Sequence, residues 1–231
     1  MVDNISDFLL LQINDALFPI GGYSHSYGLE TYIQKDIVHD EKSAKEFINK
    51  RLEYNFLYNE FLAVRLSWEY ANNNDLQKIL QLDKIMEAGK LPMETRLASK
   101  KLGSRFIKTL SSLSLSLQND IFDEYKKLSI TKGAHHAVAY GVFCSSAGIP
   151  LNSCLKNFIY AQTSAMVTNC VKSVPLSQTS GQKILTQTFE LLDDLTVEVI
   201  KLDENMLGLS GAGFDLRCMQ HEGLYSRIYM S

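Results

Sequence analysis

The 231-residue sequence has no apolar run that approaches the roughly 20 residues needed to cross a bilayer. It also lacks a cluster of basic residues. Its 23 Lys and Arg residues stand against 26 Asp and Glu residues, so nothing indicates binding to a nucleic acid backbone. Residues 1–12 carry acidic side chains where a secretion signal would carry basic ones. These absences predict a cytoplasmic globular protein that acts without a membrane or a nucleic acid as partner.

A cysteine framework is absent as well. The four cysteines lie far apart and form no CxxC pair, which is typical of reduced core residues. The adjacent His135 and His136 cannot clasp one ion from a helix, because neighbouring side chains point about 100° apart. We therefore predict no firmly bound metal or other cofactor. A transient metal contact stays open at His221, for which a hydrogen bond in an interface or in the tail is the favoured interpretation.

Signatures of catalysis and of nucleotide binding are also missing. His25 lies between two serines, yet adjacent residues in a turn have no reason to converge as a catalytic pair, and the order GxSxG is absent. Gly208, Gly211 and Gly213 form no phosphate loop, since GxxxxGK(S/T) does not occur. We predict a protein that is not an enzyme. Two rival hypotheses stay open, namely a small helical hydrolase using His25 or Cys144 and a protein that stores a metal ion.

Apolar spacing predicts helices over almost the whole chain. Asp40 and Asp75 are suited to cap helix N-termini, and Gly89 is suited to end a helix in a left-handed conformation. The apolar pattern slips near Asn55, which indicates two helices or one helix with a break. We predict an all-α protein of about eight to ten helices that forms a single domain over residues 1–231.

Several segments of the second half leave alternatives open. Residues 113–117 keep helical spacing but also alternate with serines as a strand would, and we favour a helix. Residues 134–147 are small along one face, which suits close packing of a helix in the core or in a homodimer. The last long helix begins at Ser177 or Thr179. The periodicity ends in the tail, residues 207–231, whose apolar anchors are expected to fold onto a partner or onto the protein itself.

The most unusual segment follows the first predicted helix. Residues 18–30 read Phe-Pro-Ile-Gly-Gly-Tyr-Ser-His-Ser-Tyr-Gly-Leu-Glu, in which a proline and two adjacent glycines force a tight reversal. A helix corner packed with aromatic rings accounts for part of this composition. Three glycines, two serines, a histidine and two tyrosines within thirteen residues exceed what a corner requires. We therefore predict a functional segment here.

Residues 19–30 match Pro-x-Gly-Gly-(Phe or Tyr)-Ser-x-Ser-x-Gly-Leu-Glu, the signature of the urease accessory protein UreF family, at every fixed position. Glu94-Thr95-Arg96 resembles the middle motif of that family. Residues 175–182 resemble its Pro-Leu-Gly-Gln-x-x-Gly-Gln, with a serine in place of the first glycine. Residues 215–231 resemble the family's ending, Tyr-Ser-Arg-Leu-Phe-x-Ser. The resemblance thus covers nearly the whole chain in the right order.

The resemblance implies an all-helical protein that is not an enzyme, forms a homodimer and assists nickel insertion into urease. It also implies three partners: the accessory protein UreD (UreH in some organisms), the nickel-carrying GTPase UreG, and apo-urease. Nickel would be handled transiently by the complex and not held firmly by this chain. The absence of a phosphate loop agrees with this division of labour, since another protein brings the nucleotide.

Tyr23 and Arg227 look like the family's pair that holds the C-terminal segment in its binding form. A guanidinium can stack on a tyrosine ring or hydrogen-bond to its hydroxyl, which gives this assignment a physical basis. The alternative is a salt bridge of Arg227 with Glu30 or Glu222. The sequence leaves both interpretations open.

The interface with UreD or UreH is expected in residues 224–231 and in the helix 5–17. Deleting the last dozen residues is therefore expected to abolish the complex and to leave unfolding cooperative. The individual tail residues expected at the interface are Tyr225, Ile228, Tyr229, Met230 and Ser231. The residues expected to shape the turn are Pro19, Gly21, Gly22, Gly28 and Glu30.

Overall fold

A computed structural model describes residues 3–130, 132–209 and 211–230, with the backbone alone for residues 3–5 and 23. These ranges are mostly helical and contain no strand, so the all-α prediction is confirmed. No helix in them is both long enough and apolar enough to span a bilayer. The α-helices are α1 (Asp3–Asn14), α2 (Leu29–Gln34), α3 (Glu41–Arg51), α4 (Leu62–Asn72), α5 (Leu76–Gly89), α6 (Met93–Ser111), α7 (Ile121–Ser129), α8 (His136–Ser146), α9 (Leu151–Ser173), α10 (Gln178–Gln187), α11 (Phe189–Lys201) and α12 (Ala212–His221).

Three helices begin where the sequence places a capping side chain. The Asp40 carboxylate accepts the backbone N–H of Ser43 at 2.8 Å, and Asp75 accepts that of Lys78 at 3.0 Å. At the start of α10 the hydroxyl of Ser177 accepts the backbone N–H of the serine three positions on, at 3.0 Å. Each bond satisfies a donor that the first helical turn leaves free. The predicted caps at Asp40 and Asp75 are confirmed, and of the two alternatives for α10 the cap is Ser177.

The break predicted from the slip in the apolar pattern is a π-helical segment, Leu52–Phe61, between α3 and α4. A π-helix bonds each residue to the fifth along the chain, so its carbonyls point differently from those of an α-helix. Here the carbonyls of Tyr54 and Tyr58 accept the backbone N–H groups of Gly211 and Gly208, at 3.1 and 3.0 Å. The π segment thereby holds the glycine-rich stretch that leads into α12.

Residues 113–117 are not helical, so the favoured prediction for them is wrong. α6 ends at Ser111, and the Ser112 hydroxyl donates to the carbonyl of Thr109 at 2.6 Å. Ser114 adopts a positive φ of 49°. Serine hydroxyls that bond to nearby backbone compete with the helical hydrogen bonds, and here this local bonding ends the helix.

The predicted last long helix is two helices, α10 and α11, which meet at Thr188. The Thr188 hydroxyl donates to the carbonyl of Leu185 at 2.7 Å, again a local bond at a helix end. The predicted helix end at Gly89 is confirmed, but the left-handed conformation predicted for it is wrong, since Gly89 is not among the glycines with positive φ and α5 closes on Lys90 at φ −83°. With α12 inside the predicted tail, the described ranges contain more α-helices than the eight to ten predicted.

Helix α8 occupies the centre of the hydrophobic core. Residues 137–146 are all buried, as is typical of a helix that is apolar on every side. A Cβ added at Gly141 would lie 2.4 Å from the carbonyl oxygen of Val64 and 2.0 Å from the hydroxyl of Ser67, both on α4. The small face of residues 134–147 therefore packs in the core. The four cysteines are buried and free, which confirms the prediction made for them.

Candidate functional site

The glycine turn after α1 is fixed by backbone geometry. Gly21 has a φ of +81°, a conformation that side chains with a Cβ rarely adopt, and a short 3-10 helix, Gly22–Ser24, follows it. The Ser24 hydroxyl donates to the carbonyl of Gly21 at 2.6 Å, and Arg105 donates to the carbonyl of Ile20 at 3.2 Å. The turn is thereby bonded to itself and to α6. Pro19 lies exposed at its start.

Gly28 lets α12 approach the end of the turn. Its φ is +83°, and a Cβ added there would lie 3.0 Å from the sulfur and 3.1 Å from the backbone nitrogen of Cys218. The Cys218 thiol donates to the carbonyl of Tyr27 at 3.3 Å, and Thr31 donates to the carbonyl of Arg217 at 2.9 Å. α12 is therefore tied to the start of α2 on either side of this glycine.

A buried arginine packs against the aromatic rings next to the turn. Arg51 is 4% exposed, and its guanidinium lies over the rings of Tyr27, Phe56 and Phe214 at 5.8, 5.5 and 5.2 Å. A cation facing several rings is stabilised by their negative faces. Burial raises the pKa of the Tyr27 phenol, so this ring stays neutral.

A charged cluster of Glu30, Glu94, His221 and Arg227 lies where α2, α6 and the end of α12 meet. His221 is fully buried, with its Nε2 at 2.9 Å from Glu30 Oε2 and its Nδ1 at 2.7 Å from Glu94 Oε2. The other oxygen of Glu94 accepts from the guanidinium of Arg227 at 2.5 Å. A carboxylate is an acceptor only, so the two short contacts of His221 are satisfied when both ring nitrogens carry hydrogens.

The C-terminal segment, residues 224–230, is bound to this cluster through its backbone. The N–H of Ile228 donates to Glu30 Oε1 at 2.7 Å, and the N–H of Tyr229 donates to Glu30 Oε2 at 3.1 Å. The N–H of Met230 donates to the carbonyl of Ser24 in the turn at 3.0 Å. Of the two alternatives for the tail, the structure shows it folded onto the protein itself.

The predicted tail residues fall into two groups. Tyr229 is 6% exposed and faces the body of the protein, and burial raises the pKa of its phenol. Tyr225, Ile228 and Met230 face outward. Ser231 lies outside the described residues, as does the side chain of Tyr23, so the pairing of Tyr23 with Arg227 stays a prediction. Within the described residues Arg227 pairs with Glu94, and neither Glu30 nor Glu222 forms the salt bridge given as the alternative.

The residues predicted to shape the glycine turn differ in their backbone conformation and in the space around them. Gly21 and Gly28 have positive φ values, and Glu30 anchors the terminal segment. A Cβ added at Gly22 would meet no atom within 4 Å, so its position leaves room for a side chain.

The rival catalytic candidates lie in surroundings unsuited to nucleophilic chemistry. Cys144 is fully buried in the core. Burial, aided by the nearby charges of Lys101 and Arg105, lowers the pKa of His25 to about 4. Within the described ranges, no group of three or more His, Cys, Asp and Glu side chains is arranged to hold a metal ion. At His221 both ring nitrogens face carboxylate oxygens, so the hydrogen bond favoured from the sequence is the contact observed.

Sequence reasoning missed the role of Glu94 in anchoring the tail and the identity of the partners of His221. It favours a hydrogen bond of His221 in an interface or in the tail but names neither of the two carboxylates that this ring contacts. Glu94 and His221 are 127 positions apart, and no periodicity connects them. The one signal available was that both lie within stretches resembling family motifs.

The fold and the charged cluster define a class: an all-α protein whose buried charges hold its own C-terminal segment against the turn after its first helix. The sequence model of the UreF family matches residues 38–188, well over half of the 231-residue chain. The chain belongs to the UreF family, a family of urease accessory proteins. The match includes the middle motif at Glu94, while the turn and the C-terminal segment lie outside it. The family assigns the chain to the maturation of urease.

Proposed function

We propose that this chain forms a homodimer, binds UreD or UreH through its C-terminal segment and so recruits the GTPase UreG to apo-urease for nickel insertion. In this proposal it acts in the cytoplasm as a scaffold and not as an enzyme. Nickel is handled transiently by the assembled complex, without a firmly bound ion or cofactor in this chain. The observation that carries the proposal is the anchored C-terminal segment with its outward apolar side chains.

The exposed side chains of the C-terminal segment support a protein-binding role. Tyr225, Ile228 and Met230 are 105%, 73% and 57% exposed, while Tyr229 between the last two is buried. Tyr229 packs its ring into the body of the protein, and its neighbours Ile228 and Met230 are left on the solvent side. Large apolar side chains on a segment held in one conformation bind a partner at a lower entropic cost than a free tail would.

Helix α1 offers a second apolar surface near the start of the chain. Leu10 and Ile13 are buried against the body, whereas Phe8 and Leu11 are 72% and 64% exposed. An amphipathic helix needs one apolar face for its own core, and these two residues lie off that face. This surface supports the assignment of the first helix to the same interface, although the helix ends at Asn14 and not at residue 17 as predicted. The side chain of residue 5 lies outside the described residues.

The test compares two isoleucines with similar exposure. Ile228 is 73% exposed on the C-terminal segment, and Ile130 is 76% exposed at the end of α7. We expect Ile228→Ser to weaken capture of purified UreD or UreH by about tenfold, as is common for an apolar anchor at the centre of an interface. Isothermal titration of wild type and variant with the partner measures this difference.

The variant Ile130→Ser is the matched control and should bind as wild type does. Equal affinity of Ile228→Ser and wild type would remove the C-terminal segment from the proposed interface. Size-exclusion chromatography with UreD or UreH and then UreG, with and without nucleotide, measures whether the larger assembly and the homodimer form.

A further inference from the structure

Glu30 receives the terminal segment with both oxygens of one carboxylate. Oε1 accepts the N–H of Ile228 at 2.7 Å, while Oε2 accepts the N–H of Tyr229 at 3.1 Å and Nε2 of His221 at 2.9 Å. The carboxylate is 7% exposed, so these three donors replace the water that an exposed glutamate would bind. Backbone donors can be held this way only if the carboxylate keeps one orientation.

His221 bonds to both Glu30 and Glu94. Its ring is fully buried and stands between the two carboxylates, with one nitrogen on each. The two carboxylate oxygens that do not contact His221 accept from the terminal segment: Oε1 of Glu30 accepts the N–H of Ile228, and Oε1 of Glu94 accepts from the guanidinium of Arg227. Oε2 of Glu30 contacts His221 and also accepts the N–H of Tyr229.

We propose that His221 is the positioning residue of the C-terminal segment. It fixes two carboxylates from different helices so that their remaining oxygens lie where the backbone of residues 228–229 and the guanidinium of Arg227 can reach them. Without its two N–H groups, the buried Glu30 and the partly buried Glu94 would be acceptors of like charge with no donor between them, which is unfavourable. Only the consequence for partner binding rests on the proposed function, since the anchoring itself is a property of this chain.

A steric role is the competing explanation, because His221 also fills space at the end of α12. The variant His221→Phe separates the two, since it keeps a buried ring and removes both N–H groups. His221→Gln retains one side-chain amide donor and should restore part of the anchoring. If the ring acts only by filling space, Phe preserves the anchored segment better than Gln does.

The experiment measures amide hydrogen exchange in the full-length protein by NMR. In His221→Phe we expect the amides of residues 228–230 to exchange about tenfold faster or more, the effect typical of losing hydrogen bonds to a charged group. His221→Gln should fall between this variant and wild type. Amides in the core helix α9 report global unfolding, so their exchange in each variant is the reference against which residues 228–230 are compared. The surface variant His39→Gln, in which the altered side chain is half-exposed, should match wild type throughout.

Wild-type exchange at residues 228–230 in His221→Phe would overturn the proposal, and so would stronger protection in Phe than in Gln. If His221→Phe does not fold, Glu30→Gln decides. A glutamine presents one oxygen and one nitrogen, and whichever place the nitrogen takes it cannot accept an N–H, so unchanged exchange at both Ile228 and Tyr229 would equally overturn the proposal. Binding to UreD or UreH is measured on the same variants. A freed segment with unaltered binding refutes the proposed interface and leaves the positioning role standing.

Discussion

Gly28 has no side chain, and this allows α12, near the end of the chain, to pack against the turn near its beginning. Its φ of +83° is strained for any other residue, and a Cβ there would press on the backbone of Cys218. We expect Gly28→Ala to lower the free energy of unfolding by about 2 kcal/mol, because α12 must shift away from the turn. Urea unfolding followed by circular dichroism measures the loss.

Gly22 provides the control within the same turn. It is not among the glycines with positive φ, and an added Cβ meets open space. Gly22→Ala should therefore change the free energy of unfolding by no more than about 0.5 kcal/mol. Equal destabilisation by the two alanines would mean that close approach of α12 is not what Gly28 provides.

Local side-chain chemistry explains which single residues could be predicted. A cap such as Asp40 acts on a backbone N–H three positions away, so the sequence contains both partners within one turn. The bridge of His221 joins Glu30 and Glu94, which lie 191 and 127 positions away. Such pairs are determined by packing of the whole chain, so they cannot be predicted from the spacing of residues in the sequence.

The helices likewise include some features that the sequence pattern predicts and others that it does not. The break before α4 was visible because a π segment shifts the apolar face, and that shift appears as a slip in the pattern. The helix expected over 113–117 failed because its leucines kept helical spacing while its serines bonded to the local backbone. Within the tail, α12 was missed because its buried residues are polar as well as apolar, with Cys218 and His221 facing inward.

The position of His221 at the end of α12 changes what a truncation should do. Deleting the last dozen residues removes His221 and leaves the buried Glu30 and the partly buried Glu94 without their shared donor. We therefore expect a chain ending at Met219 to lose about 3 kcal/mol of stability, the range typical of breaking a buried ion pair. A chain ending at Gly223 keeps His221 and should unfold cooperatively with a smaller loss.

Urea unfolding of both truncated chains beside the full-length protein tests this difference. Both should fail to bind UreD or UreH, because both lack residues 224–231. Equal stability of the two chains would show that His221 adds nothing to the fold. Partner binding by the chain ending at Gly223 would instead contradict the proposed interface.

At the scale of the whole molecule, the all-α architecture was predictable because it is the sum of many local periodicities. The central position of α8 was partly predictable too, since a run of small and apolar residues suits a helix enclosed by others. The closure of residues 224–230 onto the turn was not, because it depends on hydrogen bonds from backbone groups that every sequence has.

Buried histidines give the whole molecule a predictable response to acid. Burial, the largest cause in each case, lowers the pKa of His25, His135 and His136 to about 4, whereas an unfolded chain titrates near 6.5. Between these values the unfolded chain binds protons that the folded protein excludes, so stability falls as the pH falls. Burial raises the pKa of Asp83 to about 6, which acts in the opposite direction over the same range. Burial also raises the pKa of Glu69 and of Asp215, which act in the same direction as Asp83, so the expected loss is assigned to each histidine and not to their sum.

His136 is the clearest place to test this response, because its ring packs between Phe106 and Phe158 at 5.4 and 5.6 Å. Phenylalanine can occupy that position without binding a proton. From pH 7 to pH 5 we expect His136→Phe to lose about 1–2 kcal/mol less stability than wild type, the share of one histidine. Phe106→Leu, which disturbs the same packing without altering a titratable group, should be destabilised equally at both pH values. Urea unfolding at each pH measures all three proteins, and parallel losses in His136→Phe and wild type would show that His136 does not contribute to acid sensitivity.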